Sequence, residues 1–213
     1  MKPLIIGMGP AKSHPTNAWH PAAVSTANLC YLISGDPSKL SMLDSHFKAI
    51  DLNQNWHREE GHDWDSIWEN DAEETLRMLI AAQELGRGRK VFLLGEQVTN
   101  FTFGFLRRKD CTLAAQGWRQ LAKCLGYRLC IQDKEASVGK SLGYYDFVAI
   151  PVWHPRILTT LEAKMPAGWQ QKMMNALRSA GGLQPMKFKR PHSQNLLLRR
   201  EKTTPADQQF PIW

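Results

Sequence analysis

The sequence lacks the cysteine pattern and the long apolar run that would place it in several common protein classes. Its 4 cysteines form no CxxC pair and no Cys/His spacing of a zinc module, so we expect reduced thiols in the core. No apolar stretch approaches the roughly 20 residues that a membrane helix needs, and no signal-peptide pattern precedes the first apolar segment. We therefore expect a cytoplasmic protein without a membrane partner.

A recognisable metal site is also missing. His57, His62 and Asp63 lie with Glu59 and Glu60 in a Trp-rich segment, but their spacing matches no known metal module. A solvated acidic loop is the better interpretation of this segment. We expect neither a metal ion nor another cofactor.

Two nucleotide-binding motifs are present only in part. Gly7-Met8-Gly9 begins like a dinucleotide fingerprint, but Lys12 stands where the third glycine belongs. Gly139-Lys140-Ser141 ends like a P-loop, but Lys134 replaces the first glycine of that motif. The sequence therefore favours neither a nicotinamide enzyme nor a nucleotide triphosphatase.

Positive charge is what the chain has in excess. The formal net charge is +7 and the calculated pI is about 9.3, which favours a polyanionic partner. Beyond Leu183 the composition becomes basic and is interrupted by proline. We expect one domain over residues 1–182 and a basic arm over residues 183–213. The alternative is a disordered or surface-packed tail that contributes only solubility.

Apolar strand-like runs alternate with helical patterns along residues 1–182, which is typical of an α/β fold with a parallel sheet. Strands are predicted at 4–7, 49–53, 91–95, 127–132 and 145–152, and helices at 25–34, 38–48, 97–105, 113–126 and 167–180. A further helix is predicted to begin at Asn70, which forms a capping box with Glu73, and to present Leu76, Leu79 and Ile80 on its apolar face. Residues 55–70 and the Gly/Ser/Lys-rich segment before residue 145 are predicted to be loops.

Two of the strand ends carry unusual loops. Leu4-Ile5-Ile6 continues into Gly7-Met8-Gly9-Pro10-Ala11, and Val148 to Val152 continues into Trp153-His154-Pro155. A third strand ends in Leu52-Asn53. Because ligands bind at the carboxyl ends of the strands in open parallel sheets, we expect these segments to lie at one site.

The order of these pieces and the two loop motifs resemble the uracil-DNA glycosylase superfamily over residues 1–182. The resemblance implies a three-layer α/β/α sandwich with a short central, mainly parallel four-stranded sheet. It also implies a monomer that binds single- or double-stranded DNA. Such a protein flips uracil, or another damaged or modified pyrimidine, out of the strand and hydrolyses its N-glycosidic bond.

The resemblance also implies roles for particular residues. Gly9 and His154 occupy its catalytic positions, His154 as the donor to the base oxygen, and Asn53 recognises the edge of the base. The candidate substrate contacts are Gly7, Met8, Pro10, Ala11, His14, Asn17, Trp19, Asn53, Pro155 and Arg156. The candidate contacts to the DNA backbone are Lys12, Lys187, Lys189, Arg190, Arg199 and Arg200.

The chain also departs from the family pattern. Gly9 stands where many glycosylases have an Asp, Asn or Glu that orients water, and residues 12–23 contain no acid. Trp19 is the substitute for the family's stacking aromatic, and Arg156 replaces a common serine. Two alternatives therefore stay open: a protein that binds or tailors a modified base or nucleotide, and a catalytically inactive nucleic-acid-binding protein.

Each candidate residue also has a purely structural interpretation. Asn53 is equally compatible with a cap at a strand end, and Asn55 is a neighbouring candidate for the same role. An isolated loop histidine such as His154 is more often a structural residue than a catalytic one. Burial and hydrogen bonding at these positions distinguish the two interpretations.

Overall fold

A computed structural model describes residues 1–9, 19, 23–53, 64–86, 88–95, 97–99, 101–102, 105, 111–113, 136–140, 146–159 and 168–189 of the chain. The strands are β1 (Leu4–Gly7), β2 (Lys48–Asp51), β3 (Arg89–Leu94), β4 (Cys111–Leu113), β5 (Ala136–Lys140) and β6 (Asp146–Val152). The helices are α1 (Val24–Ser34), α2 (Leu40–His46), α3 (Trp64–Ala81) and α4 (Trp169–Ala180), with a 3₁₀ turn at Pro155–Thr159.

The sheet has six strands in the order β2-β1-β3-β6-β5-β4. The first four of these are parallel, with Ile5 paired to both Ala49 and Phe92, and Phe92 paired to Ile150. Strand β5 is antiparallel to both β6 and β4. The predicted four-stranded parallel sheet is therefore present, and an antiparallel pair extends it at one edge.

Alternate residues of the parallel strands supply two separate cores. Ile5, Phe92 and Ile150 face a cluster that includes α1, α2 and α4. Their neighbours Leu4 and Val91 face the opposite side, where α3 packs. Apolar residues at every position of a strand suit a sheet that is covered on both faces. Helices on both faces of the sheet make the predicted three-layer α/β/α sandwich.

Helices α1 and α4 agree with the predictions. Helix α1 ends at Gly35, whose φ of 81° is the left-handed conformation that glycine adopts without strain, and the Gly35 N–H donates to the Tyr31 carbonyl. Helix α4 buries Trp169, Met173 and Leu177, which are spaced four residues apart on one face. Each fully buried side chain of this size contributes about 1.5–3 kcal/mol to folding.

Two loop predictions were wrong. Helix α3 begins at Trp64, so the end of the predicted 55–70 loop is helical and Asn70 is not a cap. The capping-box pattern at Asn70 concealed the four-residue spacing of Trp64, Trp68 and Ala72, which continues the helical period toward the N-terminus. Residues Ala136–Lys140 lie in the predicted Gly/Ser/Lys-rich loop but form β5, because pairing with β6 overrides weak local strand propensity.

The structure also differs from the prediction at residue 113, before β5. Leu113, the predicted start of a helix, lies in β4. The rest of that predicted helix and the predicted strand at 127–132 lie outside the described residues. No helix in the described part of the chain is long and apolar enough to cross a membrane.

The first residues of the predicted basic arm pack as an extended strap, residues 183–189, across α1 and α4. The Gln171 side chain donates to the Met186 carbonyl at 2.8 Å and accepts from the Phe188 N–H at 2.6 Å. The Tyr31 hydroxyl donates to the Lys189 carbonyl, and its ring meets Phe188 edge-on with 6.0 Å between centroids. Lys187 and Lys189 point outward between these contacts.

Candidate functional site

The parallel strands end at one edge of the sheet, and the predicted catalytic and substrate-contact residues within the described ranges follow them there. Beyond β2, the Leu52 N–H donates to the Gly7 carbonyl and the Asn53 N–H donates to the Met8 carbonyl, each at 3.0 Å. These two bonds extend the β1–β2 ladder and hold Asn53 against the Gly7-Met8-Gly9 loop. The structure thus brings the first loop motif and the predicted base-recognising residue together.

Asn53 is buried without hydrogen-bond partners for its side chain. The residue is 1% exposed, and neither its Oδ1 nor its Nδ2 has a partner among the described residues. Leaving a buried polar group unsatisfied costs about 1–3 kcal/mol, and native structures contain few such groups. A side chain with one free acceptor and a free donor pair suits a ligand that presents the complementary edge.

Trp19 packs against Gly7 at the end of β1. A methyl group at position 7 would lie 3.1 Å from Cζ2 of the Trp19 indole, so the ring lies directly on the glycine. The indole Nε1 is buried and has no partner among the described residues. Trp19 has a φ of 65°, a conformation that is uncommon for a residue other than glycine. The predicted aromatic substitute therefore lies at the end of β1.

Asp51 is a residue that the sequence analysis missed. It is paired in register with Gly7, and a Cβ atom at position 7 would overlap its Oδ1. The side chain is 4% exposed, and burial raises the pKa of its carboxyl group to about 7. The available signal was its spacing, because Asp51 and Asn53 are two residues apart and so lie on the same side of the strand end.

His154 follows β6 and is held as a neutral imidazole. Burial first, and then the charge of Arg156, lower its pKa to about 4. Its Nδ1 accepts the backbone N–H of Arg156 at 3.3 Å, so the proton of the neutral ring lies on Nε2. The ring packs on Gly95, which has a φ of 89°, and a Cβ there would lie 3.3 Å from the His154 Cβ. His154 therefore presents Nε2–H as a donor.

Helices α1 and α4 hold the turn around His154 in place. Asn28, which is buried in α1, donates through Nδ2 to the Pro155 carbonyl at 2.9 Å. The rings of Trp153 and Trp169 meet edge-on with 6.4 Å between centroids, and the Trp153 Nε1 has no partner among the described residues. Asn28 was also missed, because a polar residue inside an apolar helix pattern gives no sign of which loop it contacts.

The width of the site follows from the strand order. Three strand spacings separate β2, which ends near Asn53, from β6, which ends near His154. At 4.7–4.9 Å each, these place the two strand ends roughly 14 Å apart. Asn53 and His154 therefore lie at the same edge of the sheet but not on neighbouring strands.

The other predicted positions fall into two groups, those on the surface of the described residues and those outside them. Arg156 is exposed beside His154, and Gly9 is half-buried at the end of the described part of the first loop. Pro10, Ala11, Lys12, His14, Asn17, Arg190, Arg199 and Arg200 lie outside the described residues, as do His57, His62 and Asp63. Within the described ranges, no group of three His, Cys, Asp or Glu side chains is arranged to hold a metal ion.

The chain was also compared with known proteins. No protein family, no curated protein and no solved structure matches it.

Proposed function

We propose that this protein is a DNA glycosylase-like enzyme, which flips uracil or another damaged or modified pyrimidine out of DNA and hydrolyses its N-glycosidic bond. The observation that supports this most is the Asn53 amide, which is buried at the strand ends with its donor and acceptor unpartnered among the described residues. A pyrimidine edge offers the matching acceptor and donor, and enzymes that act on a flipped base read that edge by hydrogen bonds.

The neutral His154 supplies the second part of the proposal. Cleavage of the glycosidic bond moves an electron pair onto the base, so negative charge develops on a ring oxygen. A donor fixed near that oxygen stabilises the transition state more than the ground state. Nε2–H of His154 is such a donor, because the Arg156 N–H holds the ring by its other nitrogen. With a pKa of about 4, the ring stays neutral at physiological pH.

DNA is the proposed partner and the cytoplasm the proposed place of action. The net charge of +7 favours binding to phosphates, and the strap presents Lys187 and Lys189 to solvent on a segment that is fixed by hydrogen bonds. Contacts of this kind give largely sequence-independent affinity that falls as salt rises. The monomeric state implied by the resemblance belongs to the same proposal.

The test is an excision assay on labelled single- and double-stranded oligonucleotides that carry uracil, mismatched thymine, or oxidised or modified pyrimidines. We expect abasic sites from one of these substrates, and a loss of about 10²–10³-fold in rate for His154→Ala. The affinity of His154→Ala for DNA should stay unchanged. His46→Ala is the matched control, because His46 is a half-buried histidine whose ring contacts the Gly181 carbonyl, away from the strand ends.

A second candidate is favoured by Gly9, which brings no acid to the first loop. This candidate binds or tailors a modified base or nucleotide without hydrolysis, or binds nucleic acid alone. Salt-sensitive DNA binding with no base released from any substrate would support it and contradict the glycosylase. Equal excision rates for His154→Ala and His46→Ala would remove His154 from the chemistry.

A further inference from the structure

Asp51 is a buried carboxyl group to which the function proposed above assigns no task. It is 4% exposed, at the end of β2 beside Asn53. No hydrogen bond or ion pair joins its carboxylate to another described residue, and burial accounts for its shifted pKa by itself. Burying a carboxyl group without compensating partners costs stability, and ionisable groups with pKa values shifted in this way cluster at functional sites.

The location of Asp51 relative to the first loop is specific. Its backbone pairs with Gly7, and its Oδ1 occupies the space that a side chain at position 7 would fill. The Asp51 side chain therefore extends into the space that is open because residue 7 is a glycine. The carboxylate lies at the start of the Gly7-Met8-Gly9 loop, which itself has no acid.

We propose that Asp51 is the general base of the active site and replaces, from the neighbouring strand, the acid that the first loop lacks. This inference rests on the glycosylase function proposed above. It assigns a catalytic role to a residue outside both loop motifs, and it makes hydrolysis compatible with glycine at position 9.

The step balances as a hydrolysis. The Asp51 carboxylate accepts a proton from a water molecule while the water oxygen forms a bond to C1′ of the sugar. The bond between C1′ and the base nitrogen breaks, and its electron pair moves onto the base, whose oxygen accepts a hydrogen bond from His154 Nε2–H. The base leaves as an anion and takes its proton from solvent. The ionised carboxylate also stabilises the positive charge that develops on the sugar.

The electrostatic surroundings of Asp51 suit this task. Its pKa of about 7 leaves a large ionised fraction at neutral pH and makes it a stronger base than an ordinary aspartate. Among the described residues, Gly7 and the Trp19 ring meet its side chain at the end of β1, and neither carries a charge. Burial alone shifts the pKa of Asp51, with no contribution from a charged neighbour. Lys48 lies at the other end of β2, bound to Glu84, and the neutral His154 lies three strands away.

The test compares wild type with Asp51→Asn, His154→Ala and Asp44→Asn. Asp44 is the matched control, an exposed aspartate on α2. Single-turnover base release is measured from pH 5 to 9 on the substrate found in the excision assay. Binding is measured in parallel on DNA with a 2′-fluoro target nucleotide, which resists cleavage and reports whether each variant is folded.

We expect the wild-type rate to rise with pH and to level off above about pH 7. Asp51→Asn should lose at least about 100-fold in rate, lose the rising limb of the profile, and keep its affinity for the 2′-fluoro DNA. Asp44→Asn should match wild type in both measurements. A purely structural role for Asp51 would not remove the pH limb while preserving binding.

Two outcomes would overturn the inference, and they are distinguishable. If Asp51→Asn cleaves within tenfold of wild type or keeps the rising limb while His154→Ala is inactive, Asp51 is not the base and the glycosylase proposal survives. If wild type itself releases no base from any substrate, the glycosylase proposal fails and the role of Asp51 fails with it.

Discussion

At the edge where the parallel strands begin, buried polar groups are paired. Arg89 is 5% exposed, and its guanidinium donates to the Lys2 carbonyl at 2.6 Å and pairs with Glu84. Glu84 also binds Lys48 at 2.5 Å. At the edge where the same strands end, Asp51 and Asn53 are buried just as deeply, and neither side chain has a partner among the described residues.

The difference indicates what each edge is for. Both edges bury charge or hydrogen-bonding capacity, so burial alone does not distinguish them. Paired groups at the first edge contribute to folding, whereas unpaired groups at the second edge cost stability that a ligand would restore. Natural proteins tolerate such costs mainly where function requires them. The comparison therefore supports the edge where the strands end as the candidate site, without reference to any sequence motif.

The carboxyl groups of Asp51 and Glu84, one at each edge, should affect the free energy of unfolding in opposite ways. The folded pKa of Asp51 is about 7 and its ordinary value is near 3.8, so between these pH values the native state holds a proton that the unfolded chain has released. Stability therefore falls as pH rises from about 4 to 7. Asp51→Asn cannot ionise, so at pH 8 we expect it to be more stable than wild type by up to about 4 kcal/mol.

Urea denaturation at pH 4 and pH 8 measures this effect. The difference between Asp51→Asn and wild type should be close to zero at pH 4 and largest at pH 8. Asp44→Asn, on the exposed side of α2, should show no such change. An Asp51→Asn variant that is less stable than wild type at pH 8 would mean that the carboxylate has a partner, and the contrast between the edges would disappear.

Glu84 should behave in the opposite way. Hydrogen bonds from Lys48 and then Arg89, with the charges of both, lower the pKa of its carboxyl group. Its contribution is therefore present above the unfolded pKa and is lost as pH falls through the folded value. At pH 7 we expect Glu84→Gln to lower the free energy of unfolding by about 2 kcal/mol, because the buried Arg89 loses its charged partner.

The same urea titrations test Glu84, with Glu73→Gln as the control. Glu73 pairs with the exposed Arg77 at 2.9 Å within α3, and a surface pair of this kind contributes about 0.5 kcal/mol. Base release should be unchanged in both variants. A Glu84→Gln variant as stable as Glu73→Gln would show that the first edge is not stabilised by its ion pairs.

The sequence predicted the fold better than it predicted the site. The apolar runs that became β1, β3 and β6 are long enough to define a buried parallel sheet, and the ends of β2 and β6 place Asn53 and His154 at one edge. Asp51 was not predicted, because an acid at a strand end is usually solvated. Its burial depends on Trp19 and on a missing side chain at Gly7, and these contacts arise only in the folded chain. Strand β5 was missed for the same reason, because it forms by pairing with β6 in the folded chain and not from its own strand propensity.

The smallest effect that we predict concerns a glycine at each edge. Alanine at position 7 would place Cβ against Asp51 Oδ1 and 3.1 Å from the Trp19 ring, so the carboxyl group must move. We expect Gly7→Ala to cost about 1 kcal/mol in the free energy of unfolding, a typical cost of slight overpacking. At the other edge, alanine at position 86 would meet only the Gln83 carbonyl at 3.6 Å, an ordinary contact, so Gly86→Ala should be neutral.

A double-mutant cycle shows whether the cost at position 7 comes from Asp51. In an Asp51→Ala background the overlapping oxygen is gone, so Gly7→Ala should cost nothing there, and the coupling energy should equal the whole effect seen in wild type. Equal costs in both backgrounds would assign the effect to Trp19 instead. A full coupling would show that Gly7 is small because the neighbouring strand places a carboxylate over it, which is the arrangement that the proposed general base requires.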